Sequence, residues 1–198
     1  MQNDWLLNGK RYTCKNIHEV VPLNIHPRTL AEKSNDQVLV FGGSTSRHHW
    51  LSNFSYVKVK FVYEHIQYST VEQAFQHRKA REAGDQNKQR EILFNPDPAI
   101  QKRLGHEVQG IDIANWNDNK RSFMKDILIA KFTQKDDLLK LLLDTGEKTL
   151  AEANGRDSYF GIGLPLTHPD VLNPEKWAEN SNHLGQVLME IRQELRSV

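Results

Sequence analysis

Three polar residues within the segment 69–79 have the types and the spacing that bond-cleaving chemistry requires. Glu72 and Lys79 are seven residues apart, which is two helical turns, and Gln76 lies at i+4 from Glu72. A helix here therefore carries a carboxylate, an amide and an amine on one stripe. Such a carboxylate stabilises developing positive charge or activates water. The alternative is structural: Ser69 and Glu72 form a capping box, and Lys79 is a solvated helix charge.

Two further segments contain candidate ligand-binding residues. Trp116 precedes a predicted helix start, where its ring can stack on a base beside amides that bind phosphate, although core packing is the commoner role of tryptophan. The segment 157–161 combines Asp157 with aromatic residues such as Tyr159; an acid there can orient ribose hydroxyls, but such segments are often plain turns. Asn182 precedes the last predicted helix and is typical of a capping residue.

The sequence has no recognisable metal or cofactor motif. CxxC and HExxH patterns are absent, and the adjacent His48 and His49 point in different directions on most backbones. Glycine-rich loops of the Walker or dinucleotide type are also absent, since Gly161-x-Gly163 is too short to count. We therefore expect neither a metal nor a cofactor.

Length and composition predict one ordinary globular domain. The 198 residues carry a formal net charge of +1, which gives no overall attraction to nucleic acid or to a membrane. The single cysteine, Cys14, cannot form an intramolecular disulfide, and this suits a reducing compartment. Neither a signal peptide nor an apolar stretch that could span a bilayer is recognisable. We expect a cytoplasmic or nuclear protein without a membrane partner.

The pattern of predicted elements indicates an α+β fold that is mostly helical and has a small β-sheet. An apolar run at 38–41, ended by Gly42-Gly43, predicts a buried strand, and alternation over 57–62 predicts a half-buried strand with a return strand at 66–68. The segment 149–153 is short and is compatible with an extended strand. Helices are predicted at 69–83, 97–105, 117 or 118 to about 130, 136–143 and 182–196. Residues 1–37, which include an Asn8-Gly9 turn signal, are predicted to be an extension before a domain at 38–198.

Taken together, these segments resemble the NADAR (YbiA-like) family from Phe41 to the C-terminus. No single motif is specific, whereas their order and spacing are. The matching motifs are Phe41-Gly42-Gly43, Leu51-Ser52-Asn53-Phe54, Ser69-Thr70-Val71-Glu72-Gln73-Ala74-Phe75-Gln76-x-x-Lys79, Lys102-x-Leu104-Gly105, Asn115-Trp116, Lys131-Phe132, Leu142-x-x-Thr145, Leu150-x-Glu152, Asp157-x-Tyr159-Phe160-Gly161-x-Gly163 and Asn182-x-Leu184-Gly185.

The resemblance implies an enzyme that cleaves a base–ribose or amine–ribose bond. Relatives are similar to enzymes that remove ADP-ribose from guanine, and others are linked to hydrolysis of ribosylamine phosphates of the riboflavin pathway. The implied partner is an ADP-ribose-containing or ribosyl-phosphate substrate, including ADP-ribosylated DNA or RNA. The implied catalytic residues are Glu72, Lys79 and Asp157, and the implied substrate-binding residues are Phe41, Asn53, Gln76, Trp116, Glu152, Tyr159, Gly161 and Asn182.

Three functions stay open at this point. The first is an N-glycosidase for ADP-ribosyl-guanine, the second an N-glycosidase for ribosylaminopyrimidine phosphates, and the third a non-catalytic module that binds ADP-ribose or NAD. The chain departs from the family pattern at Ile162, where some bacterial relatives have a second acid, and in a longer proline-rich insertion at 164–177. Ile162 favours the binding module, whereas the Glu72 and Lys79 pair favours an enzyme.

Two mechanisms are compatible with these residue types. The first, which we favour, is hydrolysis assisted by Glu72. In the second, the ribose opens and its aldehyde forms a Schiff base with Lys79. Arg78 and Arg81 are close in sequence, and cationic neighbours favour the neutral, nucleophilic form of an amine.

Overall fold

The computed structural model describes residues 3–7, 10–14, 33–42, 46–55 and 60–196. Its elements have the α+β, mostly helical composition that the sequence predicts, and they fall into two compact units: residues 1–51 with 132–198, and residues 52–131. Among the described helices, none combines the length and the apolar character that crossing a bilayer requires. The strands are β1 (Asn3–Leu7), β2 (Lys10–Cys14), β3 (Lys33–Ser34), β4 (Val38–Phe41), β5 (Phe61–Tyr63), β6 (Ile66–Tyr68) and β7 (Thr149–Glu152), and the α-helices are α1 (Val71–Glu82), α2 (Gln86–Phe94), α3 (Pro98–His106), α4 (Ile113–Thr133), α5 (Asp136–Leu143) and α6 (His183–Arg196).

A three-stranded sheet with the order β3-β4-β7 forms the centre of the first unit. Strand β4 pairs in parallel with β7, in the register Val38 opposite Thr149, and antiparallel with β3. All four residues of β4 are buried, as expected of a central strand covered on both faces. The predicted buried strand at 38–41 is therefore confirmed, as is the extended segment after Thr149. Gly43, which follows the strand, lies outside the described residues.

Helix α6 packs against β7 and against α5. Its apolar face is buried, as its periodicity predicts; that face consists of Leu184, Leu188, Ile191 and Leu195. Strands β1 and β2 form an antiparallel pair in which Leu7 lies opposite Lys10. The predicted Asn8-Gly9 turn lies outside the described residues.

Ile162 belongs to an apolar cluster together with residues of β4 and β7. The insertion at 164–177 packs against this cluster and contains two short 3-10 helices, Pro169–Leu172 and Pro174–Lys176. An apolar residue at 162 therefore has a structural reason, because this buried position is surrounded by other apolar side chains. The packed side chains of the insertion are Leu164, Leu166, Val171, Leu172 and Trp177.

In the second unit, β5 and β6 form a hairpin whose turn is Glu64-His65. Both turn residues have positive φ angles, 47° and 66°, as a type I′ turn requires, so the predicted turn and return strand are confirmed. The first half of the predicted strand, residues 57–59, lies outside the described residues. Helices α2 and α3 pack on α1 and on each other.

Two helices of the second unit differ from the sequence prediction. Helix α2 was not predicted, because only Ile92 is buried and the segment therefore lacks an apolar stripe. Helix α4 begins at Ile113, and the Asp112 carboxylate accepts the N–H of Asn115 at 3.1 Å. The predicted caps Asn117 and Asp118 are wrong, since both lie inside the helix. Helix α3 begins as predicted, with Asp97 as its N-cap.

Candidate active site

Helix α1 is capped one residue later than predicted. Thr70 Oγ1 accepts the N–H of Gln73 at 3.0 Å, and the Gln73 side chain accepts the N–H of Ser69 at 3.0 Å. The predicted Ser69–Glu72 box is wrong because Thr70 and Gln73 form the same kind of pattern, shifted by one position. Glu72 is therefore not the side chain that satisfies the start of the helix.

The Glu72 carboxylate lies on the helix face that the sequence predicts, and it is buried, with 4% of the residue exposed. Gln76 Nε2 donates to Glu72 Oε1 at 2.8 Å. The backbone N–H of Glu72 donates to the carbonyl of Asn53 at 3.0 Å, which holds the loop containing Asn53 against the start of α1. Burying a carboxylate costs free energy of folding unless hydrogen bonds compensate for the lost water. A purely structural role therefore does not account well for a carboxylate at this position.

Lys79 lies on the same face and reaches α3. Its Nζ donates to the carbonyl of Gly105 at 2.8 Å, and burial lowers the pKa of the Lys79 amine. A lower pKa increases the fraction of neutral amine at a given pH. Gly105 is thus a positioning residue that sequence reasoning did not identify, although it lies within the Lys102-x-Leu104-Gly105 motif.

Arg78 and Arg81 do not account for the lowered pKa of Lys79, contrary to the sequence-based expectation. Glu64 binds both arginines: Arg78 at 2.5 Å, and Arg81 through a short contact. Arg78 also pairs with Glu82 at 2.7 Å. The pKa of Lys79 falls because of its burial.

Asn53 and Trp116 are the other predicted residues in this unit. Asn53 is buried, and its Oδ1 has no hydrogen-bond partner among the residues that the structure describes. The Trp116 ring packs against Phe75 at 5.1 Å and against Phe123 at 5.8 Å between centroids, with only 7% of the residue exposed. The backbone N–H of Trp116 donates to the carbonyl of Asp112, which directly precedes α4, and Trp116 itself lies inside α4. The prediction that Trp116 lies before a helix start is therefore wrong.

The remaining predicted residues belong to the first unit, where the Asn182 side chain is hydrogen-bonded to strand β7. Its Nδ2 donates to Leu150 O at 2.9 Å, and its Oδ1 accepts the N–H of Glu152 at 3.2 Å. Glu152 is buried and lies opposite Phe41, which is completely buried. The backbone of Gly161 lies so close to that of Glu152 that a Cβ atom on residue 161 would be 3.1 Å from the Glu152 carbonyl oxygen.

The loop that contains Asp157 is connected to the start of α6 by backbone hydrogen bonds. Asp157 Oδ1 accepts the N–H groups of Tyr159 at 3.0 Å and Phe160 at 2.9 Å. The carbonyls of Tyr159 and Phe160 accept the N–H groups of His183 and Leu184. The Tyr159 ring lies over His183, with 4.1 Å between centroids. His183 was not predicted, because it occupies the variable position of the Asn182-x-Leu184 motif.

Comparison with known proteins establishes the family. A profile of the NADAR domain matches residues 40–196, and the chain therefore belongs to the NADAR family. The chain is 34% identical over 131 residues to an N-glycosidase of Acanthamoeba polyphaga mimivirus, which covers 66% of this chain and 76% of the viral protein. It is 28% identical over 160 residues to the N-glycosidase YbiA of Escherichia coli strain K12, which covers 81% of this chain and 89% of YbiA.

A solved structure is similar to most of this chain. The NMR structure of the E. coli protein YbiA superimposes with a TM-score of 0.64 at 26% sequence identity. The match covers 83% of this chain and 88% of the YbiA chain. The family profile, the sequence relatives and the solved structure thus agree on the family, and the structure supports the fold.

Proposed function

We propose that the protein is an N-glycosidase that hydrolyses the base–ribose bond of an ADP-ribosylated substrate, with ADP-ribosyl-guanine in nucleic acid or nucleotide as the favoured substrate. The observation that carries this proposal is the buried Glu72 carboxylate, which Gln76 orients through a 2.8 Å hydrogen bond. The reaction class is also supported by two relatives that are named N-glycosidases.

The chemistry of the bond explains why such a carboxylate is useful. Cleavage of an N-glycosidic bond develops oxocarbenium-like positive charge on the ribose. The Glu72 carboxylate either stabilises this charge or removes a proton from the attacking water, whose oxygen becomes bonded to C1′ while the base leaves with a proton. Because Gln76 already holds the carboxylate, little orientational freedom is lost when the transition state forms.

Lys79 contributes a donor on the same helix face. In the mechanism that we favour, its ammonium positions a substrate oxygen and water is the nucleophile. In the alternative, the neutral amine attacks C1′ while the base leaves with a proton; the ribose ring then opens to give the imine, which water hydrolyses to release the sugar and regenerate the amine. The burial that lowers the pKa of Lys79 increases the fraction of neutral amine, which only the alternative mechanism requires.

The buried Oδ1 atom of Asn53 supports a polar ligand near the start of α1. An acceptor that is buried without a donor among the described residues costs free energy, and a ligand hydroxyl or amide can supply that donor. Ribose hydroxyls and the N–H groups of guanine are donors of this kind. We therefore expect Asn53 to accept a hydrogen bond from the substrate.

The test is incubation with a panel of candidate substrates, with the products identified by mass spectrometry. The panel contains ADP-ribosylated guanosine, ADP-ribosylated DNA, NAD and a ribosylaminopyrimidine phosphate, and Glu72→Gln is the matched inactive control. We expect free ADP-ribose from the first two, together with unmodified guanosine from the first and DNA with unmodified guanine from the second. If only the ribosylaminopyrimidine phosphate is cleaved, the proposed ADP-ribosylated substrate is wrong. If the protein binds ADP-ribose but cleaves nothing in the panel, the proposal that it is an enzyme is wrong.

A further inference from the structure

A separate cavity of about 510 Å³ lies on the opposite side of α1 from Glu72. On α1 it is lined by His77 and Arg81, which are five and nine residues beyond Glu72 and so lie about 140° and 180° around the helix axis from it. The β5–β6 hairpin and α2 form the other walls of this cavity, which is open to solvent. Its other lining residues include Glu64, Gln89, Arg90 and Leu93.

His77 contributes a buried polar group to this cavity. The residue is 2% exposed, and its Nδ1 is 2.8 Å from the Tyr68 hydroxyl. Burial lowers the pKa of His77 to about 4, so the ring is neutral at pH 7. When Tyr68 donates to Nδ1, the ring proton is on Nε2, and His77 becomes an N–H donor in the cavity wall.

The charged groups around the cavity favour an anion. Arg81 and Arg90 provide two guanidinium groups against the single carboxylate of Glu64. That carboxylate contacts both Arg81 and Arg78, and Arg78 also pairs with Glu82, so the cavity lining still has two guanidinium groups for one carboxylate. Arg90 donates to the exposed Asn87 Oδ1 at 2.9 Å through one nitrogen of its fork, and a guanidinium has further donors.

The remaining wall suits a planar ring. Ile66 and Leu93 are half-buried apolar side chains, and Gln89 adds an amide. Guanidinium planes also stack on aromatic rings and bind phosphate through paired N–H groups. The volume lies within the range of about 300–1,000 Å³ that small-molecule sites occupy.

We propose that this cavity is a nucleotide-binding groove, in which Arg81 and Arg90 bind phosphate while His77 and Gln89 donate to the edge of the base. The groove uses none of the residues to which the proposed function gives a role. Its ligand class is a phosphate attached to a planar, hydrogen-bonding ring. That unit is present both in a free nucleotide and in a nucleic-acid strand.

The test measures binding of AMP, adenosine and inorganic phosphate by calorimetry, with the ring nitrogens of His77 followed by NMR. Arg90→Glu is the test variant. Arg103→Glu is the matched control, because Arg103 is an exposed α3 arginine paired with Glu107 at 2.6 Å that does not line the groove. We expect AMP to shift the His77 Nε2 signal, adenosine to bind weakly, and Arg90→Glu to weaken AMP about tenfold or more, the equivalent of one charge-assisted hydrogen bond.

The outcomes separate this proposal from the proposed function. Glu72→Gln should retain the AMP-induced shift of His77, since that readout needs no turnover. A tighter response to a short single-stranded oligonucleotide than to AMP identifies a strand as the ligand, whereas an equal response identifies a free nucleotide; both support the groove. The proposal is overturned if AMP leaves His77 unchanged, if adenosine binds as well as AMP, or if Arg90→Glu and Arg103→Glu behave alike.

Discussion

Gln76 occupies the space next to Gly105 so completely that a Cβ atom on Gly105 would lie 1.8 Å from Gln76 Oε1. Helix α3 can therefore approach α1 at this point only because residue 105 has no side chain. The same Gln76 amide donates to Glu72, and the Gly105 carbonyl accepts from Lys79. One glycine thus controls the position of three polar groups.

Gly105→Ala should lower turnover much more than it lowers stability. The added methyl group displaces the end of the Gln76 side chain, which is flexible, and so breaks its hydrogen bond to Glu72. Alanine also has a higher helix propensity than glycine by roughly 1 kcal/mol, which offsets part of the strain. Turnover and thermal melting, measured on one preparation, check this expectation.

A double-mutant cycle gives the control for Gly105. Gln76→Ala removes the side chain that collides with the new methyl group, so the double variant should be no less active than Gln76→Ala alone. Independent, additive losses of turnover in the two single variants would contradict the relationship between Gln76 and Gly105.

Glu72→Gln should reduce turnover by about 10²- to 10⁴-fold, the usual contribution of a general acid or base. The amide has almost the same shape as the carboxylate and can still accept from Gln76, so we expect a stability loss of at most about 1 kcal/mol. The measurement is turnover on the best substrate together with the melting temperature. A variant that keeps most of its turnover would show that Glu72 has only a structural role.

Borohydride added during turnover should distinguish the two mechanisms. If Lys79 forms a Schiff base, reduction leaves the ribose portion of the substrate attached to this residue, and peptide mapping locates the adduct. Lys79→Arg retains the charge but cannot form the imine, so it should abolish both trapping and most of the rate. No adduct during fast turnover, or an active Lys79→Arg enzyme, leaves water as the nucleophile.

Trp116→Ala should destabilise the protein by about 3–5 kcal/mol, because the ring is buried against Phe75 and Phe123. If the ring also stacks on the substrate base, ligand binding weakens in addition by roughly 1–3 kcal/mol. Melting and binding measured on the same sample separate the two effects. Trp116→Phe keeps an aromatic ring in the cluster and is the control for substrate contact in a folded protein.

His77 predicts a specific acid sensitivity. Its pKa is about 4 in the folded protein, below the value of 6.5 for an unperturbed histidine. Between these two values the unfolded chain binds more protons than the folded protein, so stability falls as the pH is lowered from 6.5 towards 4. His77→Gln should show a flatter stability profile in this window. Tyr68→Phe should keep the slope, because burial is the largest cause of the shift.

The elements that the sequence predicts correctly have strong local signals. The apolar run of β4, the Glu64-His65 turn and the regular apolar face of α6 are examples. Helix α2 was missed because a helix with one buried residue has no periodic pattern. The cap of α1 was misplaced by one residue because two overlapping capping patterns compete, and local sequence does not rank them.

The candidate site was predicted only as far as it is local. The common face of Glu72, Gln76 and Lys79 follows from helical spacing. Helical spacing does not predict the contacts of Gly105 with this face, because Gly105 lies on another helix and is 26 residues from Lys79 in sequence. Likewise, the contact of Tyr159 with His183 depends on how a loop meets a helix.

The parallel pairing of β4 with β7 has a consequence for the order of folding. The two strands can pair only after the whole segment 52–131 between them has been synthesised. That segment is itself one continuous stretch of chain, and its helices contact helices that are close in sequence. Local contacts form faster than distant ones, because less loop entropy must be lost. During synthesis, we therefore expect the amides of segment 52–131 to become protected from hydrogen exchange first. The amides of β4 and β7 become protected later, when the two strands pair.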